Sequence, residues 1–311
     1  MTLRSLKENH DVIFSVVIPL HNKQQHIRKC INSILDQSLK NFEVLVIDDA
    51  SSDQSVDIVR SFDDARIAIL SRATPGPGGY AARNFGAMHA SAEWLTFLDA
   101  DDHWRPNHLE EIRSTMSQFP DVPLFFTGFE KIGKKTEQVC ASSMKDLTAA
   151  EAMRQLSEKD IFHVNTMAIR KEIYISSDGF FEDRGWRRGG DSELWPRLLA
   201  SAERVVMVPK VTATWDIRNS GITVESFDAS MEHPALTSFN EGNIVDQGDN
   251  FRRSQHIFAV RKQLMWDAKA PVGAKPIWKS MMLFLRGPIT MRTTKEFFRF
   301  IRRSIAFRLR K

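Results

Sequence analysis

The chain has 311 residues, 42% of them hydrophobic and 26% charged, enough for one substantial core and a smaller appended region. Its two cysteines, Cys30 and Cys140, lie far apart and in no CxxC pair, which argues against a zinc ribbon or a disulfide framework and suits a reducing cytoplasm. The net charge of +4 is uneven: from Lys269 to Lys311 twelve Lys/Arg face only Glu296, giving +11, so the rest sums to −7 and does not read as a nucleic-acid binder.

The segment Met1 to Asp11 is polar, and the apolar run Phe14–Leu20 is too short for a signal-peptide core or a membrane span. No other segment reaches about 18 uninterrupted apolar residues, so the expectation is a chain that stays on the side of the membrane where it is made. Phe14–Leu20 reads as a buried strand, followed by a helix with Ile27, Ile31, Ile34 and Leu35 on one stripe. Phe42–Ile47 is the second strand, with a helix over about Gln54–Phe62. Arg66–Leu70 is the third, and the loop Pro75–Gly79 leads into a further helix. Trp94–Leu98 is the fourth strand, and a helix starts near Pro106, where proline suits the first turn. Alternating strands and helices predict an α/β fold whose mainly parallel sheet is covered on both faces.

Beyond Val122 the pattern loosens. Leu124–Phe129, Thr166–Arg170 and Arg204–Val208 read as strands, Thr148–Leu156 and Asp191–Ala202 as helices. Residues 220–260 are polar and carry no assignable period. Ile277–Arg286 is apolar but about half the length of a span. Thr293 and Glu296 stand at capping-box spacing before a helix with Phe297, Phe298, Ile301, Ile305 and Leu309 on one stripe. Arg299, Arg302, Arg303 and Arg310 face away from it, a pattern that suits an anionic membrane surface or a helix packed on the domain with a solvated basic side.

In an open parallel sheet, ligands bind beyond the carboxyl ends of the strands. Strand one runs into His21-Asn22, strand two into Asp48-Asp49 and strand four into Asp99-Ala100-Asp101-Asp102. Asp48 to Asp53 also reads as a turn capping the next helix through Ser52 or Asp53. Three carboxylates in four residues repel one another unless a cation is present. Hard oxygen ligands without a Cys or His cluster suit Mg²⁺ or Mn²⁺.

The strings VVIPLHNKQQHIRKCINSILDQSLKNFEVLVIDDASSDQS and PGGYAARNFGAMHASAEWLTFLDADDHWRPNHL resemble the opening of the family 2 glycosyltransferases of GT-A fold. The resemblance runs over about Phe14–Leu109 and thins out to about Ser220. It implies a GT-A domain over 1–220, with a nucleotide-binding half (14–109) and an acceptor half (110–220). A mostly helical, basic region over 221–311 completes the expected organisation. Within it, Pro19–Asn22 resembles the family's P-x-[YH]-N stretch, so His21 packs on the donor base beside Asn22. Asp49 matches the acid that contacts base or ribose. Arg83 and Asn84 match the A-R-N of the diphosphate site. Asp99 and Asp101 match the outer acids of the DxD motif, with Asp101 the direct ligand of a divalent cation.

Acceptor activation needs a carboxylate that no metal occupies. Gly189-Gly190-Asp191-Ser192-Glu193-Leu194-Trp195 resembles the E-D-x-[DE]-L-W segment, which makes Asp191 the general base and Glu193 its fallback, although Gly190 replaces the usual glutamate. Asp191 or Ser192 also suits a helix cap. Trp215 to Ser220 resembles the Y-R-x-H segment near the diphosphate, with Arg218 supplying the cation. Trp186, Arg187 and Arg188 precede Asp191 and either face an anionic or lipid-linked acceptor or form a solvated loop. The implied activity is inverting transfer of a sugar from a nucleotide-sugar donor to a glycan or lipid-linked acceptor hydroxyl. Surface polysaccharide or glycolipid synthesis is the expected setting, with the enzyme cytoplasmic and peripheral on the inner face of the membrane. The competing readings are a catalytically inactive GT-A membrane adaptor and a sugar nucleotidyltransferase, though Pro19-Leu20-His21-Asn22 is not the Gly-rich loop of the latter.

Overall fold

Helices on both faces of a sheet bury the side chains of its central strands on both sides, and such strands lose the alternation of polar and apolar residues. β1 (Phe14–Leu20) is of this kind, with Phe14, Val16, Val17, Ile18 and Leu20 all without exposure. α1 (Ile27–Leu35) follows, its Ile27, Cys30, Ile31 and Ile34 turned inward on the predicted stripe. β2 (Phe42–Asp49) is buried throughout, and α2 (Ser55–Arg60) leads to β3 (Ile67–Arg72). A 3₁₀ turn at Pro77–Gly79 opens α3 (Tyr80–His89), and β4 (Trp94–Phe97) completes the first half. The computed structural model describes residues 12–218, 232–242, 247–269, 283, 285 and 290–308.

The short strand β5 (His103–Trp104) precedes α4 (His108–Gln118), which starts two residues after Pro106. Next come β6 (Leu124–Ile132), β7 (Thr136–Val139), β8 (Lys145–Thr148) and α5 (Ala149–Glu158). β9 (Met167–Arg170) and α6 (Lys171–Ser176) precede α7 (Gly190–Ala202). β10 (Arg204–Asp216) runs eight residues past its expected end, and α8 (Pro234–Glu241), α9 (Asp249–Lys269) and α10 (Met291–Arg308) follow. Among the described residues the strands form one sheet in the order β3-β2-β1-β4-β9-β6-β10-β5, with β7 on β6 and β8 on β10. It is parallel from β3 to β4. Beyond β4 it is mixed, since β9 runs antiparallel to β4 and β6 while β10 runs parallel to β6.

Contacts divide the chain into two units. The first comprises Met1–Leu147, Ile161–Arg187 and Arg204–Thr223, and holds the sheet. Here α3 lies hard against β1: a Cβ on Gly86 would come within 2.4 Å of Val17 Cγ1 and 3.1 Å of Ile47 Cγ1. Gly86→Val is therefore expected to cost roughly 3 kcal/mol, the upper end of the overpacking range, read as a lower urea midpoint. An unchanged midpoint would show that α3 does not approach the sheet so closely.

The second unit comprises Thr148–Asp160, Arg188–Glu203 and Val224–Lys311, and so draws two segments from before residue 220. α9 is its central helix, packed on α5, α8 and α10. Asp160 sits between Arg261 (2.6 Å) and Lys262 (3.1 Å). Burial opposes its charge, but the two cations hold its carboxyl far below the usual range.

The end of the chain departs from the sequence reading. α10 begins a turn earlier than expected: the Thr293 N–H donates to Thr290 Oγ1 (3.2 Å) and the Thr290 N–H to Thr293 Oγ1 (2.8 Å). Thr293 thus takes the place that Glu or Gln holds in a capping box, and Glu296 instead pairs with Arg299 at 2.7 Å. The expected apolar stripe also divides. Thr293 and Glu296 are buried and Phe297 is half-buried, while Phe298 is 61% exposed. The side chain of Ile305, Leu309, Arg303, Arg310 and most of Ile277–Arg286 lie outside the described residues. Among the described residues no helix is long and apolar enough to cross a membrane.

Candidate active site

β2, β1 and β4 are adjacent and parallel, with Leu20 opposite Asp48 and Val17 opposite Phe97. Their carboxyl ends therefore open on one edge of the first unit. The turn after β1 is tied to the turn after β2. His21 Nδ1 lies 2.7 Å from the Asp49 carbonyl, which can only accept, so Nδ1 carries the proton. Asn22 Oδ1 accepts from the Ser52 N–H at 2.8 Å, and the Ser51 N–H donates to Asp48 Oδ1 at 2.9 Å. Asn22 (φ 50°) and Ala50 (φ 57°) both hold left-handed backbone in these turns, a conformation that side chains other than glycine adopt at a cost. Asp53 accepts from the N–H of Ser55, the first residue of α2, but the N-cap position is Gln54, whose side chain makes no cap hydrogen bond, and not Ser52 or Asp53.

Asp49 is 2% exposed. Its carboxylate receives the Arg72 guanidinium from the end of β3 and the Gly76 N–H at 2.9 Å, tying the glycine loop to β2. At the other end of that loop, Gly78 and Gly79 have φ of 68° and 71°. A Cβ on Gly78 would come within 2.9 Å of the Arg187 carbonyl and 2.7 Å of the Tyr80 ring, so only glycine fits.

Residues 99–102, one position beyond β4, contain the carboxylates whose mutual repulsion the sequence poses as a problem, and the fold gives two of them a cation and the third neutral N–H donors. Asp99 pairs with Arg83. Arg83 also donates to the Gly78 carbonyl (3.2 Å) and lies 5.4 Å over the Phe180 ring. It does not pair with Asp48 or Asp49. Burial works against the charge on Asp99, yet the Arg83 guanidinium, with His163 and Lys23 beyond it, holds its carboxyl below the usual range. Asp101 receives the Lys23 ammonium at 2.6 Å. Asp102 is buried and accepts from the Asp216 N–H (2.8 Å) and from Asn165 Nδ2 (2.6 Å). Burial, with Asp101 and Asp99 adding to it, pushes its carboxyl well above the usual range. Asp102 is therefore a positioning group.

Asn165, which the sequence reading does not single out, holds the acidic segment in place. It is fully buried, its Oδ1 accepts from the Asp99 N–H at 3.0 Å while its Nδ2 holds Asp102, and its carbonyl accepts from Trp104 Nε1 at 2.7 Å. One amide thus fixes both ends of the acidic segment. Asn84 has a related role. It donates to the Phe180 carbonyl and to Glu182 (both 2.7 Å), and accepts from Tyr174 Oη (2.7 Å) and the Phe180 N–H (3.0 Å). These bonds fasten the 180–182 loop to α3. Arg218 lies at the end of β10 and pairs with Asp216 (2.6 Å), which holds Asp102 through its backbone. The site residues of the first unit thus form one connected network.

Asp191 belongs to the second unit, in the first turn of α7 behind Gly189 (φ 79°). It is half-buried, and its Oδ1 accepts only from the adjacent Ser192 N–H (2.8 Å) among the bonds it makes to described residues. Glu193, the fallback, is buried and held by Arg197 (2.7 Å) and Ser238 (3.0 Å). A carboxylate so engaged is a structural ion pair.

Among the described residues no group of three or more His, Cys, Asp or Glu is arranged to hold a metal ion. A cation on this edge would take one hard oxygen ligand from Asp101 and the rest from phosphate oxygens and water, which is how Mg²⁺ and Mn²⁺ sit in phosphate-transfer sites. The donor set fits such an ion.

The sequence profile described as glycosyl transferase family 2 matches residues 15–176. Glycosyltransferase GlyG of Streptococcus pneumoniae is 33% identical over 238 residues, 74% of this chain and 79% of its own. The Escherichia coli protein WfgD, named as a UDP-Glc:α-D-GlcNAc-diphosphoundecaprenol β-1,3-glucosyltransferase, is 39% identical over 126 residues, 40% of this chain and 49% of its own. Against other matched relatives the chain spans less than half of their own length, 15% of one and 42% of another. The structure of S. aureus TarS 1–349 in complex with UDP-GlcNAc superposes with a TM-score of 0.71 at 16% identity, covering 96% of this chain and 93% of TarS 1–349. That likeness concerns the fold.

Proposed function

Because this chain belongs to glycosyl transferase family 2, we propose that it is an inverting glycosyltransferase that moves a sugar from a nucleotide-sugar donor to an acceptor hydroxyl. The observation that carries this reading is the sheet edge where β1, β2 and β4 end. His21, Asn22, Asp49, Arg83, Asp99 and Asp101 stand there, joined by hydrogen bonds and ion pairs that orient each of them.

In the proposed mechanism His21 and Asp49 receive the nucleoside. Arg83 and Arg218 supply positive charge toward the diphosphate, and Asp101 would hold a divalent cation, Mn²⁺ or Mg²⁺. When bound, such an ion would supply Lewis-acid neutralisation of the charge on the leaving diphosphate. Asn84 acts by holding the 180–182 loop, which precedes Trp186 in the chain. Asp191 takes the acceptor proton: the Ser192 N–H on Oδ1 leaves Oδ2 to receive it. As the acceptor oxygen bonds to the anomeric carbon, the bond from that carbon to the phosphate oxygen breaks on the opposite face. A single displacement of this kind inverts the centre, by the logic that separates inverting from retaining glycosidases.

The acceptor class we propose is a lipid-linked glycan of surface polysaccharide or glycolipid synthesis. Two facts support it: WfgD is named for a diphosphoundecaprenol acceptor, and the last 43 residues carry +11. The same charge, with Phe298 exposed beside the exposed Arg299 and Arg302, supports peripheral contact of the C-terminal region with an anionic membrane on its cytoplasmic side.

The test is binding of UDP-, GDP- and dTDP-sugars with and without Mn²⁺. One donor bound tightly, and only with the metal, is the expected result. Absence of metal-dependent binding to every donor would remove the transferase reading and leave a non-catalytic membrane adaptor in its place.

A further inference from the structure

Lys23 follows the Pro19–Asn22 stretch directly and has been given no role above, yet it sits on the carboxylate proposed to hold the metal. Its Nζ is 2.6 Å from Asp101 Oδ2, with the two side chains only 23% and 12% exposed. Its backbone is pinned. The Lys23 N–H donates to Ser55 Oγ (2.7 Å), the Lys23 carbonyl accepts the N–H groups of His26 and Ile27 (both 2.9 Å), and the next N–H, of Gln24, donates to Asp53 (3.1 Å). Whatever Lys23 does, its Cα stays in place and the flexible stem moves.

The neighbouring ion pair cannot move in this way. Arg83 is buried, stacked over Phe180 and bonded to Gly78 as well as to Asp99. Of the two cations facing the acidic segment, one is locked and the other is a compact point charge on four rotatable methylenes.

A divalent cation coordinates a carboxylate oxygen at about 2.0–2.2 Å. On Oδ2 it would displace the ammonium already there, and on Oδ1 the two positive charges would still stand a few ångströms apart and repel. Metal on Asp101 therefore favours the departure of Lys23. The negative charge that arrives with the metal is the donor's diphosphate, and a freed ammonium on a pinned backbone beside it has a new partner of higher charge than the one it lost.

We propose that Lys23 is an exchanging counter-ion. Without donor it closes Asp101 to free metal ions, and with donor it passes from Asp101 to the diphosphate, so that metal and nucleotide bind as a pair. This rests on the transferase reading and deepens it: Lys23 is a positioning residue for the cation and a ligand for the phosphates. The coupling is reciprocal, since whatever nucleotide does for metal affinity, metal does for nucleotide affinity.

The test uses the whole chain, Mn²⁺ alone, and the nucleoside diphosphate of the preferred donor. Free Mn²⁺ is read by electron paramagnetic resonance and nucleotide binding by calorimetry. In the wild type, Mn²⁺ alone binds weakly and the nucleotide strengthens it by a factor of tens, within the usual range of coupling. In Lys23→Met, Mn²⁺ alone is expected to bind about tenfold more tightly, while the nucleotide in saturating Mn²⁺ binds about tenfold more weakly. Lys23→Arg keeps the charge and is expected to keep Mn²⁺ alone weak, and an unchanged thermal melt shows that each variant folds. If wild type shows no Mn²⁺-dependent nucleotide binding, the transferase reading fails. If wild type shows it and Lys23→Met leaves both affinities unchanged or lowers both, the exchange fails while that reading stands.

Discussion

Asp101→Asn is expected to remove metal-dependent nucleotide binding and turnover together. The amide oxygen is neutral and offers a divalent cation far less than a carboxylate, and neither neighbouring acid of the segment 99–102 is free to replace it. Asp99 is engaged by Arg83, and Asp102 is buried with both oxygens accepting N–H groups. The substitution also strands the Lys23 ammonium, whose present partner is Asp101. Turnover should fall by at least about a hundredfold, as when one charge-stabilising group is lost from a preorganised site. Mn²⁺-dependent nucleotide binding should fall with it. Retention of that binding at the wild-type level would show that the cation, if any, sits elsewhere.

Asp191→Asn should separate the two properties. Asparagine keeps the shape of the first turn of α7 but cannot take a proton, so turnover is expected to drop by roughly 10²–10⁴, the usual contribution of a general base. Metal-dependent donor binding should stay unchanged, because Asp191 is assigned no part in it. Glu193 cannot take over, since Arg197 and Ser238 hold its carboxylate in a buried cluster. A variant that kept most of its activity would overturn the assignment of the base.

What could be read in advance had local character. β1 has the bounds that its composition sets, because a run of β-branched and apolar residues buried on both faces needs no distant partner to be recognised. The stripe of α1 and the acidic turn after β4 follow from spacing alone, whereas Asp48 and Asp49, expected beyond strand two, are the last two residues of β2. Asn165 was invisible because its bonds to Asp99 and Asp102 span more than sixty residues and leave no period in the chain. The partners of Asn84 lie even further away, around Tyr174 and Phe180. α9 escaped for a different reason: its inward face includes Ser254, Gln255, Arg261, Gln263 and Asp267, so burial there does not coincide with an apolar stripe. The cap at Thr290 was missed since Thr293 fills a position where Glu or Gln is expected.

The parallel half of the sheet is also a gauge. Asp49 ends β2 and Asp99 follows β4, and β1 lies between them. Two strand steps set these carboxylates roughly 10 Å apart, a length written in backbone hydrogen bonds and independent of the side chains at either end. The glycine loop bridges that length, since Asp49 holds Gly76 while Arg83, the partner of Asp99, holds Gly78, and groups joined in one such network do not contribute additively. Substitutions that retune nucleoside preference around Asp49 should therefore be felt at the far end through that loop, so that donor choice and catalysis are adjusted jointly within one scaffold.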